Sequence, residues 1–219
     1  MSTSHNKEIA KQYDIISKEF DDTRIRVWNT VKNFLMNKEN KYERLLDAGV
    51  GNGKNIIFAN KYGYDCIGFD ISNNLINICN NKGLHVHKQD ILHITPHTYG
   101  LFDKIICIAV IHHLESIDIQ KRALLNLIKC LYTGGKLLVS VWSLEMYDKC
   151  DKIDYRFFTI GKNMVKWKAK NKTYEIDRFY YIHDYDTFYN MINDISNIIP
   201  IKYNISWEKQ NWFCEIIKV

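Results

Sequence analysis

The stretch Asp47-Ala48-Gly49-Val50-Gly51-Asn52-Gly53-Lys54 is the part of the sequence that decides the fold. A short apolar run at 44–47 leads into it, a segment with helical spacing at 54–62 follows it, and 66–70 fits a second strand. Strand, glycine-rich loop, helix and strand in this order are typical of a βαβ unit with parallel strands. The sequence therefore predicts a parallel sheet whose first strand ends at the glycine loop.

The same alternation continues along the rest of the chain. Further elements are predicted, in chain order, as helix 73–81, strand 84–88, strand 104–110, helix 119–131, strand 136–142, helix 186–193, strand 198–207 and strand 212–219. Gly134-Gly135 is the stop signal for the helix before it, and the tight link at 208–211 predicts a hairpin. We expect an α/β fold with a seven-stranded, mostly parallel sheet, helices on both faces and a C-terminal antiparallel hairpin at one edge.

Two amphipathic helices are predicted ahead of the first strand. Apolar and aromatic residues recur in steps of three and four between Lys7 and Phe34. A polar joint at 21–26 separates the two helices, and Thr23 is the N-cap candidate for the second one.

Length and composition predict one domain. The 219 residues, 46% of them hydrophobic, suffice for one core. We divide the chain into a helical cap at 1–40, a cofactor-binding core at 41–145, a substrate-side insertion at 146–183, and a helix with a hairpin at 184–219. The six cysteines form no C-x-x-C pair, so neither a metal site nor disulfides are expected. A net charge of +5 is compatible with an RNA partner and with an ordinary soluble enzyme.

Polar residues fall at the ends of successive predicted strands, where parallel α/β sheets bind ligands. The loop has the spacing G-x-G-x-G instead of the dinucleotide fingerprint G-x-G-x-x-G, which favours a nucleoside cofactor without a pyrophosphate. Asp70 ends the second strand and can accept hydrogen bonds from both ribose hydroxyls. Asp90 and Ile91 follow the third strand and suit an adenine ring. A glycine-rich turn alone is equally compatible with a simple tight turn, so the prediction depends on these positions together.

The combination resembles the class I S-adenosylmethionine-dependent methyltransferases, whose first motif reads D-x-G-x-G-x-G. The resemblance covers 45–142 and implies a Rossmann-like fold with S-adenosyl-L-methionine as the cofactor. The residues that it implies for cofactor binding are Asp47, Gly49, Gly51, Asn52, Gly53, Asp70, Ile71, Asp90, Ile91 and Ala109.

Segments in the flanks resemble the tRNA wobble-uridine methyltransferase family, which esterifies 5-carboxymethyluridine and includes the methyltransferase domain of an AlkB-type RNA hydroxylase. These segments are 13–16, 23–28, 108–113, 142–145, 165–167, 177–183 and 211–213. The resemblance implies methyl esterification of the carboxylate of 5-carboxymethyluridine at the wobble position. It also implies two partners, the tRNA anticodon loop and a small zinc-binding activator protein in a heterodimer.

Two arginines in these segments are candidates to pair with the acceptor carboxylate or a phosphate. Arg24 and Arg178 could each do so, because a planar guanidinium meets such an anion with two hydrogen bonds. Each is also compatible with an arginine that caps a helix or lies on the surface. Glu145 is expected to hold an arginine in place.

Three further side chains are candidates for contact with the acceptor. His112 and His113 follow the fourth predicted strand, and either could donate a hydrogen bond to the acceptor or its uracil. His112 is preferred, and one of the pair is expected only to fix the loop. Trp142 ends the fifth predicted strand and could stack on a flipped-out base or belong to the core.

The lysines at 162, 166, 168, 170 and 172 suit a tRNA backbone, although a solvated charged face is the ordinary explanation. A small-molecule or lipid methyltransferase of the same fold remains an alternative, as does a non-catalytic RNA-binding or partner subunit. The sequence has neither a long apolar run nor a secretory signal. We expect no membrane association and a location in the cytoplasm, with the nucleus as an alternative.

Overall fold

The computed structural model describes residues 3–146, 158–168 and 174–219. The strands are β1 Glu43–Ala48, β2 Tyr64–Asp70, β3 Val86–Lys88, β4 Phe102–Ile108, β5 Leu131–Trp142, β6 Gly161–Lys168, β7 Glu175–Ile182, β8 Ile201–Glu208 and β9 Asn211–Lys218. The helices are α1 Ser4–Thr23, α2 Asn29–Met36, α3 Lys54–Asn60, α4 Asn73–Asn81, α5 Pro96–Tyr99, α6 Ile117–Lys129 and α7 Tyr185–Ser196.

The main sheet follows the order β3-β2-β1-β4-β5-β9-β8. Neighbours among β1 to β5 are parallel, β9 is antiparallel to β5, and β8 is antiparallel to β9. Lys209 and Gln210 form the turn between β8 and β9, both with positive φ (45° and 72°). The predicted seven-stranded, mostly parallel sheet with a hairpin at its edge is confirmed.

Side chains alternate between the two faces of the sheet, as the strand period requires. Leu45 and Ile106 pack with α2 and α3 on one face. Their neighbours Leu46 and Ile105 pack with α6 and α7 on the other face. All four side chains are fully buried, and burial of a leucine or isoleucine contributes about 1.5–3 kcal/mol. Helices therefore cover both faces of the sheet, and the parallel strands β1 to β5 bring their carboxyl ends to one side of it.

The sequence pattern did not reveal the second sheet, in which β6 and β7 pair as antiparallel strands. In the part of this sheet that the structure describes, Val165, Arg178 and Tyr180 are buried, whereas Lys162 and Lys166 are exposed. An arginine and a tyrosine at buried positions conceal the alternation of polar and apolar residues. The predicted substrate-side insertion at 146–183 therefore contains a hairpin that periodicity could not find.

Two predicted helix signals are wrong. Thr23 is the last residue of α1 and donates its hydroxyl hydrogen to the carbonyl of Glu19 at 2.7 Å, so it does not cap the second helix. The Glu208 carboxylate of β8 instead accepts the N–H groups of Asn29 and Thr30, at 3.1 and 2.8 Å. A carboxylate at a helix N-terminus also interacts favourably with the helix dipole.

Gly134-Gly135 is not the stop of the helix before it. The helix ends at Lys129, and both glycines lie within β5, next to a register shift between Phe102 and Lys104 of β4. They therefore form an irregularity in the strand instead of a helix cap.

No helix in the described parts of the chain is both long enough and apolar enough to cross a membrane.

Substitution of Gly53 should destabilise the protein more than substitution of another glycine with the same backbone conformation. Gly53 has φ +81°, and an added Cβ would lie 2.2 Å from Leu84 Cδ1. Gly63 has φ +72° with no atom within 4 Å of an added Cβ. We expect Gly63→Ala to cost roughly 1–2 kcal/mol of unfolding free energy through backbone strain alone. Gly53→Ala should add about 1–3 kcal/mol for overpacking. Urea unfolding followed by circular dichroism tests this, and equal losses would contradict it.

Candidate functional site

A cavity of about 190 Å³ opens at the carboxyl ends of the parallel strands. Helix α1 and strand β7 close it from the other side. The predicted site residues that line it are Arg24, Gly49, Gly51, Asn52, Asp70, Ile71, Asp90, Ile91, Ala109, His112, His113, Trp142 and Arg178. Asp47 and Gly53 lie behind its surface. The structure therefore brings the predicted cofactor residues and the predicted acceptor residues to one cavity.

Two carboxylates of the cavity wall are held in fixed orientations. Asp70 accepts the backbone N–H groups of Gly51 and Ser72, at 2.9 and 3.0 Å. Asp90 accepts the backbone N–H of Leu92 at 2.9 Å and the side-chain amide of Asn6 at 3.0 Å. Burial raises the pKa of Asp70, and its backbone hydrogen bonds partly oppose that rise. Oriented acceptors of this kind suit the hydroxyl and amino groups of a nucleoside.

Asp47 lies in the core directly before the glycine loop and is fully buried. Burial raises the pKa of Asp47 to about 7, and the nearby Lys54 ammonium opposes the rise. Because a positive charge nearby favours the ionised carboxylate, a cationic ligand in the cavity would lower this pKa.

His113 joins helix α1 to strand β7. Its Nδ1 donates to the carbonyl of Phe179 at 2.8 Å, and its Nε2 accepts the hydroxyl hydrogen of Tyr13 at 2.8 Å. This assignment follows from the carbonyl, which can only accept. Burial lowers the pKa of His113 to about 3, so the ring is neutral. Both ring nitrogens are committed, and His113 therefore holds the walls of the cavity together.

His112 lies beside it with a different set of contacts. Its Nδ1 accepts the backbone N–H of Trp142 at 3.2 Å, which places the proton of the neutral ring on Nε2. Burial, with the neighbouring His113 as a smaller cause, holds the pKa of His112 well below its ordinary value. Nε2 has no hydrogen-bond partner among the described residues. His112 is thus a neutral donor that is free to serve a ligand.

Arg178 is a buried cation in the cavity wall. Its side chain is 5% exposed, and its Nη1 donates to the hydroxyl of Tyr180 at 2.7 Å. Its Nε has no hydrogen-bond partner among the described residues. No carboxylate in the described part of the chain forms an ion pair with the guanidinium. Arg24, in contrast, is exposed at the cavity rim, directly after α1.

Tyr180 stands at the centre of the acceptor end and was not predicted as a site residue. Its ring centroid lies 4.3 Å from that of Trp142, 4.8 Å from His112 and 4.4 Å from His113. Trp142 therefore belongs to an aromatic cluster and still lines the cavity.

Other lining residues were also missed, among them Asn6, Tyr13, Phe20, Lys54 and Gln89. Tyr13 and Tyr180 lie in segments that carry the family resemblance, and this signal could have found them. Asn6 offers no such signal, because its role depends on how α1 docks onto Asp90.

Glu145 does not hold an arginine among the described residues. It accepts the hydroxyl of Ser143, the backbone N–H of Tyr185 and the indole N–H of Trp212 instead. These contacts tie the end of β5 to α7 and β9.

The predicted lysine face is only partly described. Lys162, Lys166 and Lys168 are exposed on β6, and the latter two pair with Glu175 at 3.4 and 3.0 Å. Lys170 and Lys172 lie outside the described residues.

The neutral His113 should make stability depend on pH. Below its ordinary pKa of 6.5 the unfolded chain binds a proton there, while the folded ring, with a pKa of about 3, does not. Wild-type stability should therefore fall, relative to His113→Gln, by about 1.4 kcal/mol for each pH unit below 6.5. Urea unfolding of both proteins measures the difference. Near pH 8 the difference should be constant, because the ring is neutral in both states. A difference that stays constant down to about pH 5 would contradict the assignment.

Comparisons with known proteins agree with this geometry. The methyltransferase domain family matches residues 20–192 of the chain. The tRNA (carboxymethyluridine(34)-5-O)-methyltransferase alkbh8 of Xenopus tropicalis is 38% identical over 154 residues, which make up 70% of this chain and 24% of that protein. The tRNA (carboxymethyluridine(34)-5-O)-methyltransferase of Arabidopsis thaliana is 36% identical over 142 residues, 65% of this chain and 34% of that protein. The matched region thus spans about a quarter to a third of these relatives.

The fold has close counterparts among solved structures. The structure of the DhpI-SAH complex superposes on this chain with a TM-score of 0.72 and 11% sequence identity. The superposition covers 100% of this chain and 98% of the DhpI chain. At this identity the likeness concerns the fold. The predicted resemblance to the tRNA wobble-uridine methyltransferases is confirmed by the relatives, and the chain belongs to the methyltransferase domain family.

Proposed function

We propose that this chain transfers a methyl group from S-adenosylmethionine to the carboxylate of 5-carboxymethyluridine at the wobble position of tRNA. The product is the methyl ester. The names of the relatives support the substrate, and the acceptor end of the cavity supports an anionic acceptor.

The observation that carries the proposal is the state of Arg178. A buried charge without a partner costs several kcal/mol, so a side chain of this kind is stabilised by an anion. Among the described residues the only hydrogen bond of the guanidinium goes to a neutral phenol, and its Nε is unsatisfied. A carboxylate in the cavity would supply both the charge and the acceptor atoms that this fork requires.

The opposite end of the cavity fits the cofactor. Asp70 and Asp90 line this end and would present carboxylates to the ribose and the adenine, and Ile71 and Ile91 would supply apolar contacts to the ring. The backbone of Gly49 and Gly51 can approach the ligand closely, because both residues have positive φ and no side chain. When bound there, S-adenosylmethionine supplies an electrophilic methyl group on a positively charged sulfur.

The chain's own residues then have to orient the acceptor and exclude water. A carboxylic acid is ionised at neutral pH, since its ordinary pKa is near 4, so no general base is required. His112, neutral with a free Nε2–H, can donate to the acceptor, and Arg178 can hold its charge. Alignment of this type can lower a barrier by roughly 7–11 kcal/mol.

Three tRNAs that differ only at the wobble base test the acceptor. They carry 5-carboxymethyluridine, its uncharged amide 5-carbamoylmethyluridine, and unmodified uridine, and the cofactor carries a radiolabelled methyl group. Only the carboxylate tRNA should be labelled. Equal labelling of acid and amide would contradict the carboxylate assignment. Absence of label in all three, with the zinc-binding activator protein also present, would favour a small-molecule or lipid methyltransferase. If calorimetry detects no cofactor binding either, it would favour a non-catalytic subunit.

Removal of the Arg178 guanidinium should slow methyl transfer without lowering the affinity for the cofactor. We expect Arg178→Leu to lower kcat/KM for the carboxylate tRNA on the order of 100-fold, about 2.7 kcal/mol, because the acceptor loses a charged, two-pronged donor. Arg178→Lys should recover part of this loss, since it restores the charge but not the fork.

The matched control is Arg122→Leu, an exposed arginine on α6 that does not line the cavity. Its kcat/KM for the carboxylate tRNA should equal that of the wild type. Calorimetry with S-adenosylmethionine should give the same affinity for all these variants, and a loss of affinity in Arg178→Leu would place Arg178 at the cofactor instead.

We further propose a small zinc-binding activator protein as a partner, as the family resemblance implies. An open strand edge supports this, because β3 is an outer strand and pairs with β2 alone in the described sheet. Addition of the activator from the source organism should raise soluble yield and methyl transfer. Equal yield and activity without it would refute the dependence.

A further inference from the structure

We propose that Trp167 positions both arginines of the acceptor end, Arg24 and Arg178, and thereby sets the preference of the site for a carboxylate. The inference rests on the proposed function and assigns a positioning role to a residue outside the cavity.

The geometry around Trp167 brings two cations to one ring. The guanidinium carbon of Arg178 lies 4.8 Å from the ring centroid of Trp167, and that of Arg24 lies 5.3 Å from it. Both distances are within the range of about 6 Å in which a cation is attracted to an indole face. The two arginines line the cavity, whereas Trp167 does not. Trp167 therefore contacts two residues of the cavity wall without lining the cavity itself.

The indole itself is held in place from another element. Its Nε1 donates to the Glu19 carboxylate of α1 at 3.4 Å. Trp167 belongs to β6, Arg178 to β7, and Arg24 follows α1 directly. One ring thus connects the hairpin to the helix that closes the cavity.

Arg24 depends on this ring more than Arg178 does. Arg178 also donates to Tyr180 and lies 5.0 Å from its ring. The side chain of Arg24 is exposed, and it also donates a 3.3 Å hydrogen bond to the neighbouring Thr23 and lies 5.8 Å from the ring of Phe20. An exposed arginine has many accessible rotamers, so loss of the indole face should release it from the cavity rim.

Both positive charges line the same cavity, so each raises the electrostatic potential there and attracts an anion bound in it. The pair therefore favours an acceptor with a negative charge over a neutral one of the same shape. At the cofactor end, backbone N–H groups orient Asp70 and Asp90, so the affinity for the cofactor should not depend on Trp167.

Three substitutions test the proposal in the full chain. Trp167→Leu removes the ring, and Trp167→Phe keeps a ring face but loses the hydrogen bond to Glu19. We expect Trp167→Leu to lower kcat/KM for the carboxylate tRNA by roughly 10- to 100-fold, and Trp167→Phe to lower it by about threefold or less. The matched control is Tyr185→Leu, because Tyr185 is an exposed aromatic residue on α7 outside the cavity. This substitution should leave kcat/KM unchanged. The affinity for S-adenosylmethionine, measured by calorimetry, should be unchanged in all three.

A cycle in a background that lacks both arginines, Arg24→Leu with Arg178→Leu, separates positioning from a general structural role. If Trp167 acts through the arginines, Trp167→Leu should cause little further loss of kcat/KM in that background. Independent, multiplicative losses would overturn the proposal, as would equal losses in Trp167→Leu and Trp167→Phe. If Trp167→Leu no longer binds the cofactor, Trp167→Met, whose longer and more flexible side chain adapts better to the space of the ring, takes its place in the cycle.

A measurement that does not depend on methyl transfer separates the role of Trp167 from the test of the proposed function. The arginine reagent phenylglyoxal, followed by peptide mapping, should modify Arg24 and Arg178 faster in Trp167→Leu than in Trp167→Phe or wild type. If the wild type fails to methylate the carboxylate tRNA, the acceptor assignment fails, and the modification rates of the two arginines still decide the role of Trp167. Equal modification rates in all proteins would refute the positioning role.

Discussion

The positive charge of Arg178, buried without a carboxylate partner in the described structure, is the constraint on which the acceptor end of the cavity depends. The Tyr180 hydroxyl and the Trp167 ring stabilise it only in part, because neither carries a full negative charge. The carboxylates of Asp70 and Asp90 lie at the other end, beyond the strands of the same sheet. The cavity therefore carries negative charge at one end and positive charge at the other, which suits the cationic methyl donor and the anionic acceptor proposed above.

The two adjacent histidines show how local hydrogen bonds give identical side chains different tasks. Both rings are buried and neutral, since burial lowers the pKa of each. His113 uses both nitrogens to hold α1 and β7, whereas His112 keeps one N–H without a partner among the described residues. The backbone decides this division, because His112 accepts an N–H from Trp142 and His113 donates to a carbonyl.

Much of the fold and part of the site could be predicted from the sequence, for reasons that differ between residues. The glycine loop, Asp70 and Asp90 follow strands in the sequence, and parallel strands end at one edge, so their convergence was predictable. The hairpin of β6 and β7 was not, because Arg178 and Tyr180 occupy positions where an apolar residue would have marked a strand. Asn6 reaches the cavity only through the docking of α1, which spacing along the chain does not encode. The N-cap of α2 was missed for a related reason, because its acceptor lies 178 residues away, in β8.

This distant cap has a consequence for the order in which the chain can fold during synthesis. The ribosome completes α2 long before it makes Glu208, whose carboxylate accepts the first N–H groups of that helix. Strand β9, which lies between β5 and β8, is made later still. The nascent chain therefore exposes one side of β5 and an uncapped helix until β8 and β9 leave the exit tunnel. The central sheet closes after translation of this region, in a step that a chaperone could guard.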